Sequence, residues 1–195
     1  MIVLIDNGHG VNTPGKCSPD KKLYEWKWTR EVAAMLEKKL KALGIDARRI
    51  VTEDNDIRLG ERCRRVNAVC SKYGVANVLL VSIHINAAGK DGKWHDASGW
   101  SGWVSKKAST KSKRFAQLLY AEAEKRNLKG NRWVPAERYW QANYTIITDT
   151  WCPAVLTENM FQDNREDAAW LLTEKGKQTI VDLHVVAIEK YIASK

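Results

Sequence analysis

The stretch Val75-Ala-Asn-Val-Leu-Leu-Val-Ser-Ile-His-Ile85 decides the fold. It is a near-continuous apolar run in which Asn77, Ser82 and His84 are the polar interruptions. A run this short reads as a strand buried on both faces of a parallel sheet. It falls well short of the ~20 apolar residues of a membrane-spanning helix. Upstream, Ile2 to Ile5 predicts another strand, followed by a polar, glycine-bearing loop from Asp6 to Leu23. Val32, Met35, Leu36, Leu40 and Leu43 share one face of a helix from about Glu25 to Leu43, which Gly44 stops. Ile45 to Val51 predicts a strand, and Leu59, Cys63, Val66, Cys70 and Tyr73 mark a second helix ending at Gly74.

Downstream, Asn86 to Ser98 reads as a loop and Gly99 to Val104 as a strand. A third helix covers Lys111 to Arg126, with Phe115, Leu118, Leu119 and Ala123 inward. Tyr144 to Thr148 and Ala154 to Glu158 predict two further strands. A closing helix runs from about Thr173 to Ile192, with Ile180, Leu183, Ala187, Ile188 and Tyr191 inward. There is no repeat, low-complexity tract or linker, and 195 residues suit one domain. Strands alternating with helices over one core predict an α/β fold whose mostly parallel sheet carries helices on its faces.

The composition, 44% hydrophobic and 28% charged, excludes a disordered or fibrous chain. A formal net charge of +9 suits a polyanionic partner, either nucleic acid or an anionic wall or membrane surface. The basic residues form no single tract and no nucleic-acid motif is present, so nucleic acid is the weaker reading. The start, Met1-Ile-Val-Leu-Ile-Asp6, lacks the basic region, apolar length and cleavage site of a secretory signal. The expectation is a chain made in the cytoplasm, although a mature chain with an added initiator Met stays open. Cys17, Cys63, Cys70 and Cys152 lack paired spacing and read as free thiols. Nine tryptophans exceed ordinary core needs, and Trp94, Trp100, Trp103, Trp133 and Trp140 lie in polar, glycine-rich segments where stacking surfaces are expected.

Ligands of such sheets gather beyond the carboxyl ends of the strands. The first strand ends in Asp6-Asn-Gly-His-Gly10, the strand through Ile85 ends in Ser82-Ile-His-Ile-Asn-Ala87, and the last ends in Thr157-Glu-Asn159. Glu25, at the start of the first helix, belongs on the same edge. Taken singly, each has a plain alternative: a hydrogen-bonded structural histidine, a glutamate favoured by the helix dipole, or a solvated carboxylate. Taken together, His9, His84 and Glu25 match a three-ligand catalytic zinc set that leaves one position for water. Glu158 then fits a general base that passes the water's proton to a leaving amine. Cys17 and Cys152 lie near this edge in sequence, and either is a candidate nucleophile or a fourth ligand that would close the site. His184 reads as a core residue and His95 as a solvated one or a substrate contact.

These segments, with Pro153-Ala-Val-Leu-Thr-Glu158-Asn-Met-Phe-Gln-Asp-Asn164, resemble the zinc-dependent N-acetylmuramoyl-L-alanine amidases. The branch is the one that includes cell-separation amidases and many phage endolysins. Thr52-Glu-Asp-Asn-Asp56, Arg62 and Asn67 are similar to that family's linking segment, and the likeness runs from Ile2 to about Ile192. The resemblance implies a twisted, mostly parallel sheet of about six strands, flanked by helices. It implies zinc held by His9, Glu25 and His84, with Glu158 as the catalytic carboxylate and Asn86 supporting the ligands. The implied reaction is hydrolysis of the amide joining N-acetylmuramic acid to L-alanine in peptidoglycan. Met160 departs from the glycine often found there in the family, and a side chain at that position is expected to narrow the floor beside Glu158.

The resulting expectation is a single zinc amidase domain over residues 1–195, monomeric, without a separate wall-binding domain or membrane span. A lysin reaching the wall without an export signal, such as a phage endolysin, fits this outline. Charge and exposed aromatics are expected to supply wall attachment. The competing reading is a non-catalytic binder of anionic wall polymer with the same fold.

Overall fold

The computed structural model describes residues 1–194. Strands β1 (Ile2–Asn7), β2 (Asp46–Arg49), β3 (Val78–Asn86), β4 (Ser101–Val104), β5 (Trp140–Gln141) and β6 (Ala154–Phe161) form one sheet in the order β2-β1-β3-β6-β4-β5. Neighbouring strands run parallel except for the antiparallel pair β4 and β6. Six helices accompany them among the described residues: α1 (Glu25–Ala42), α2 (Leu59–Tyr73), α3 (Thr110–Lys125), α4 (Thr145–Thr148), α5 (Arg165–Leu171) and α6 (Glu174–Ala193).

Side-chain alternation along the strands builds a core on each face of the sheet. Val3, Ile5, Leu79, Val81, Ile83 and Val155 pack with α1, α3 and α6. Ile2, Leu4, Val78, Leu80, Ala154 and Leu156 pack with α2 and α4 on the other face. The mostly parallel, helix-covered sheet is therefore as the hydrophobic pattern requires.

The differences have local causes. Gly74, with φ of +84°, ends α2, and Val75–Asn77 then makes one 3-10 turn before the strand starts. The Asn77 amide donates to Tyr73 O at 2.9 Å and Val75 is exposed, so β3 begins three residues later than its apolar run. Tyr144 to Thr148 forms a helical turn in place of the expected strand. Ile146 and Ile147 are both buried in the same core, which adjacent residues of a strand cannot achieve. β5 is two residues long and carries no periodicity to read. α5 was also absent from the expectation, although Asn164 caps it by accepting from the N–H groups of Glu166 and Asp167. Leu43 lies past the end of α1 and is 50% exposed rather than inward. His184 is a core residue as expected, between Thr157 Oγ1 at 3.1 Å and Ile180 O at 2.7 Å.

One buried cation fixes the carboxyl edge of the sheet. Arg62, on α2, is 2% exposed and donates five hydrogen bonds. They reach Ile57 O, Asp6 Oδ1 and Asn7 O, each at 2.7 Å, His9 O at 3.1 Å and Asp56 Oδ1 at 2.9 Å. Removing the guanidinium strands a buried Asp6 carboxylate, a change that typically costs about 3–5 kcal/mol. Arg62→Ala is therefore expected to lower the urea midpoint by that equivalent without changing the slope, as read by circular dichroism.

Candidate functional site

His9 follows the end of β1, where Gly8 N–H donates to Ile83 O at 3.0 Å and the chain turns sharply. The turn puts His9 itself in the left-handed region at φ +61°, a conformation held from outside. Its carbonyl accepts from both Arg30 and Arg62, each at 3.1 Å, and Thr29 Oγ1 donates to Gly8 O at 3.0 Å. A side chain at Gly8 is not tolerated, because a Cβ there would lie 2.4 Å from the His84 ring. Arg30 and Thr29 escaped the sequence reading, since nothing in their spacing announces contacts across the fold.

His84 lies on β3, and Glu158 is its register partner on the adjacent parallel strand β6. Paired positions on neighbouring strands project to the same face, about 4.8 Å apart along the sheet. Just beyond them the register slips by one residue, with Asn86 opposite Phe161. Met160 absorbs the slip at φ +65°, the conformation glycine adopts freely. Its side chain is buried in the core and lines no part of the cleft, contrary to the expectation that it narrows the floor beside Glu158. The glycine often found there is explained by the backbone angle.

Glu25 opens α1 and is fully buried. Its Oε1 lies 3.3 Å from His9 Nε2 and 3.2 Å from His84 Nδ1, and accepts the Ile85 N–H at 3.0 Å. The two imidazoles face each other edge to face at 5.1 Å. Donor atoms of His9, Glu25 and His84 all lie within 4.8 Å of one another, a group able to hold a metal ion. Glu25 Oε2 is buried with no hydrogen-bond partner, as a carboxylate waiting for a cation would be. The tautomer of His84 agrees. Ser82 Oγ donates to Asp6 Oδ2 at 2.5 Å, so it accepts from His84 Nε2–H at 3.2 Å. That leaves Nδ1 as the nitrogen facing Glu25, a donor to it while the ring is protonated and a free lone pair when the ring is neutral.

The two carboxylates experience opposite fields. Burial alone would raise Glu25, but the hydrogen bonds and charge of His84 and His9 hold it well below the usual range. Burial pushes Glu158 up to about 7, with the Glu25 charge adding to the rise and His84 opposing it. Burial also works against a protonated His84, yet the bond to Glu25 and its charge keep that imidazole above its ordinary value. Glu158 Oε2 is buried without a partner.

The triad and Glu158 line one cleft of about 520 Å³ with Lys16, Asn86, Lys90, Tyr144 and Gln162. Asn86 folds its side-chain oxygen back onto the Ala87 N–H at 2.9 Å. No cysteine joins the metal-competent group among the described residues. Cys17 pairs in a β-bridge with Tyr24 at an adjoining cavity. Cys152 precedes β6 at its amino end, on the edge opposite the cleft, where burial raises its thiol beside Cys70. His95 stands apart from the triad and meets Asp91 at 2.9 Å. The expected aromatic surface largely fails: Trp100 and Trp140 are buried, Trp94 and Trp103 half-buried, and only Trp133 of the five is exposed. Trp100 spends its indole N–H on Asn159 Oδ1 at 2.9 Å.

The sequence pattern of a family described as N-acetylmuramoyl-L-alanine amidase matches residues 3–190. The chain belongs to this family. It is 27% identical over 199 residues to an endolysin of Bacillus phage SPP1, covering 100% of this chain and 67% of the endolysin. It is 26% identical to the probable cell wall amidase LytH of Staphylococcus epidermidis, covering 98% of this chain and 58% of LytH. Among solved structures, an N-acetylmuramoyl-L-alanine amidase from Clostridium difficile 630 superposes with a TM-score of 0.82 at 26% identity, over 100% of this chain and 97% of that one. The mixed α/β architecture is thus that of the family's catalytic domains.

Losing the hydroxyl of Ser82 frees the His84 ring to tilt and to change tautomer. Ser82→Ala is expected to weaken divalent-metal binding about 10–100-fold, measured by competition with a chelating dye, while the far-ultraviolet circular dichroism is unchanged.

Proposed function

We propose that the chain is a zinc-dependent hydrolase of the amide between N-acetylmuramic acid and L-alanine in peptidoglycan, acting at the bacterial cell wall. The observation that carries this reading is the meeting of His9, Glu25 and His84 beside a buried carboxyl group, Glu158, in one open cleft. Two imidazoles and one carboxylate suit zinc by donor type, and three protein ligands leave a position for a fourth. Bound there, zinc would act as a Lewis acid toward water and toward the substrate carbonyl. His9 would ligate through Nε2, His84 through Nδ1 and Glu25 through a carboxylate oxygen.

Glu158 is the proton carrier. A carboxyl group pushed up toward neutrality takes the proton from the attacking water and returns it to the departing amine of L-alanine. Its unpartnered Oε2 leaves a lone pair free for that transfer. Asp6, Ser82 and Arg62 hold the imidazoles in place. No described helix is long and apolar enough to cross a membrane.

Glu158→Gln is expected to abolish new L-alanine amino termini on purified walls while the protein keeps one equivalent of zinc by metal analysis. Cleavage that survives in the variant overturns the assigned role, and a wild-type protein that binds walls without zinc or cleavage points to the non-catalytic alternative. Because the reaction needs ionised Glu158, kcat/KM should rise with pH through an inflection at or below about 7, since a cation at the triad lowers the carboxyl from its metal-free position. A pH–rate profile that is flat between pH 5 and 8 would contradict this.

A further inference from the structure

The cleft around the triad does not end at Lys90. It runs into a second cavity of about 250 Å³, and Gly15, Ala87, Gly89, Lys90 and Gln162 line both. Lys16 and Lys90 border the first part, and Lys21 and Lys93 extend the basic lining into the second. None of these four lysines has an ion-pair partner among the described residues, whereas neighbouring Lys22 pairs with Asp20. The one acid that lines this arm, Asp163, is committed elsewhere. Its oxygens accept the N–H groups of Ala88 and Gly89 at 2.8 and 2.9 Å, which fixes the loop, and its single negative charge faces three lysines of the same lining. The arm therefore carries a net positive charge, three lysines against one carboxylate.

At its floor lies an independent sign of a missing ligand. Gln162 is 3% exposed, and its Oε1 is buried with no hydrogen-bond partner. Leaving such an acceptor unsatisfied costs about 1–3 kcal/mol. The main chain beneath it is fixed, its N–H donating to Asn86 O at 2.8 Å. A peptide N–H is the natural complement of an amide oxygen, and a carboxylate is the complement of the lysines. On the cleft's other side Tyr144 lines the wall, with Trp103 packed behind it at 5.7 Å. Ring faces of this kind suit a sugar better than a charged peptide.

We infer that the lysine-lined arm, floored by Gln162, holds the peptide side of the substrate and selects a stem peptide bearing a free carboxylate over its amidated counterpart. The inference rests on the amidase reading and adds a direction to it, with peptide toward Lys90 and Lys93 and sugar toward Tyr144.

The test uses two muramoyl peptides that differ only in one stem-peptide carboxylate, free or converted to the carboxamide, with the zinc-loaded full chain. The wild type is expected to prefer the free acid by about tenfold in kcat/KM, the size of one charge-assisted hydrogen bond. Lys90→Ala with Lys93→Ala should bring that ratio close to one through a higher KM on the free acid. Lys107→Ala removes a lysine outside the cleft and should leave the ratio as it is. Gln162→Ala is expected to raise KM on both peptides with kcat nearly unchanged. Equal cleavage of the two peptides by the wild type, or a preference that survives in the double variant, overturns the inference while leaving the amidase reading standing. Cleavage of neither peptide by protein that also fails on whole walls overturns both.

Discussion

Both imidazoles of the metal-competent group depend on one guanidinium. Arg62 holds His9 through its carbonyl, and it holds His84 through Asp6 and the Ser82 hydroxyl. Burying a cation so completely is unfavourable unless every donor is matched, and here all five bonds end on acceptors. The desolvated charge is thereby converted into stiffness. A loop that would otherwise wander after β1 is fastened to α2, and a strained left-handed histidine is held through its carbonyl.

The same economy separates two glutamates that sit in one cleft. Glu25 is enclosed by groups that favour its charge, so it is suited to remain an anion and to offset a cation. Glu158 has burial against its charge and no hydrogen-bond partner on Oε2, so it keeps its proton up to near neutrality. Environment alone makes one a fixed ligand and the other a carrier, in keeping with the roles proposed for them.

The strong periodic signals in the sequence translated directly into structure. The apolar alternation of β1, β3 and β6 and the faces of α1, α2, α3 and α6 left little freedom, and the carboxyl-edge rule then placed His9, His84, Glu25 and Glu158 together. The failures came where tertiary context overrode local pattern. Tyr-Thr-Ile-Ile-Thr has strand-like composition, yet two adjacent isoleucines had to enter one core, and only a helical turn allows that. The tryptophans looked like surface because their neighbours are polar, but Trp100 is satisfied inside by Asn159. Arg62 was noticed only by family likeness, because five contacts spread over distant segments leave no periodic trace. Cys152 was placed on the wrong edge because strand direction, rather than nearness in sequence to Glu158, decides which end of β6 a residue joins.

His184 gives the molecule an intrinsic limit in acid. It is wedged under β6 as a neutral ring, its Nδ1–H given to Ile180 and its Nε2 accepting from Thr157, with burial holding its pKa down to about 4. The unfolded chain takes up that proton from near pH 6.5, so the folded state progressively loses ground as the medium acidifies from there toward pH 4. The total is about 3 kcal/mol, the free energy of a shift of this size. Because His184 meets Thr157, which immediately precedes Glu158, this acid-sensitive contact sits directly beneath the strand that lines the cleft.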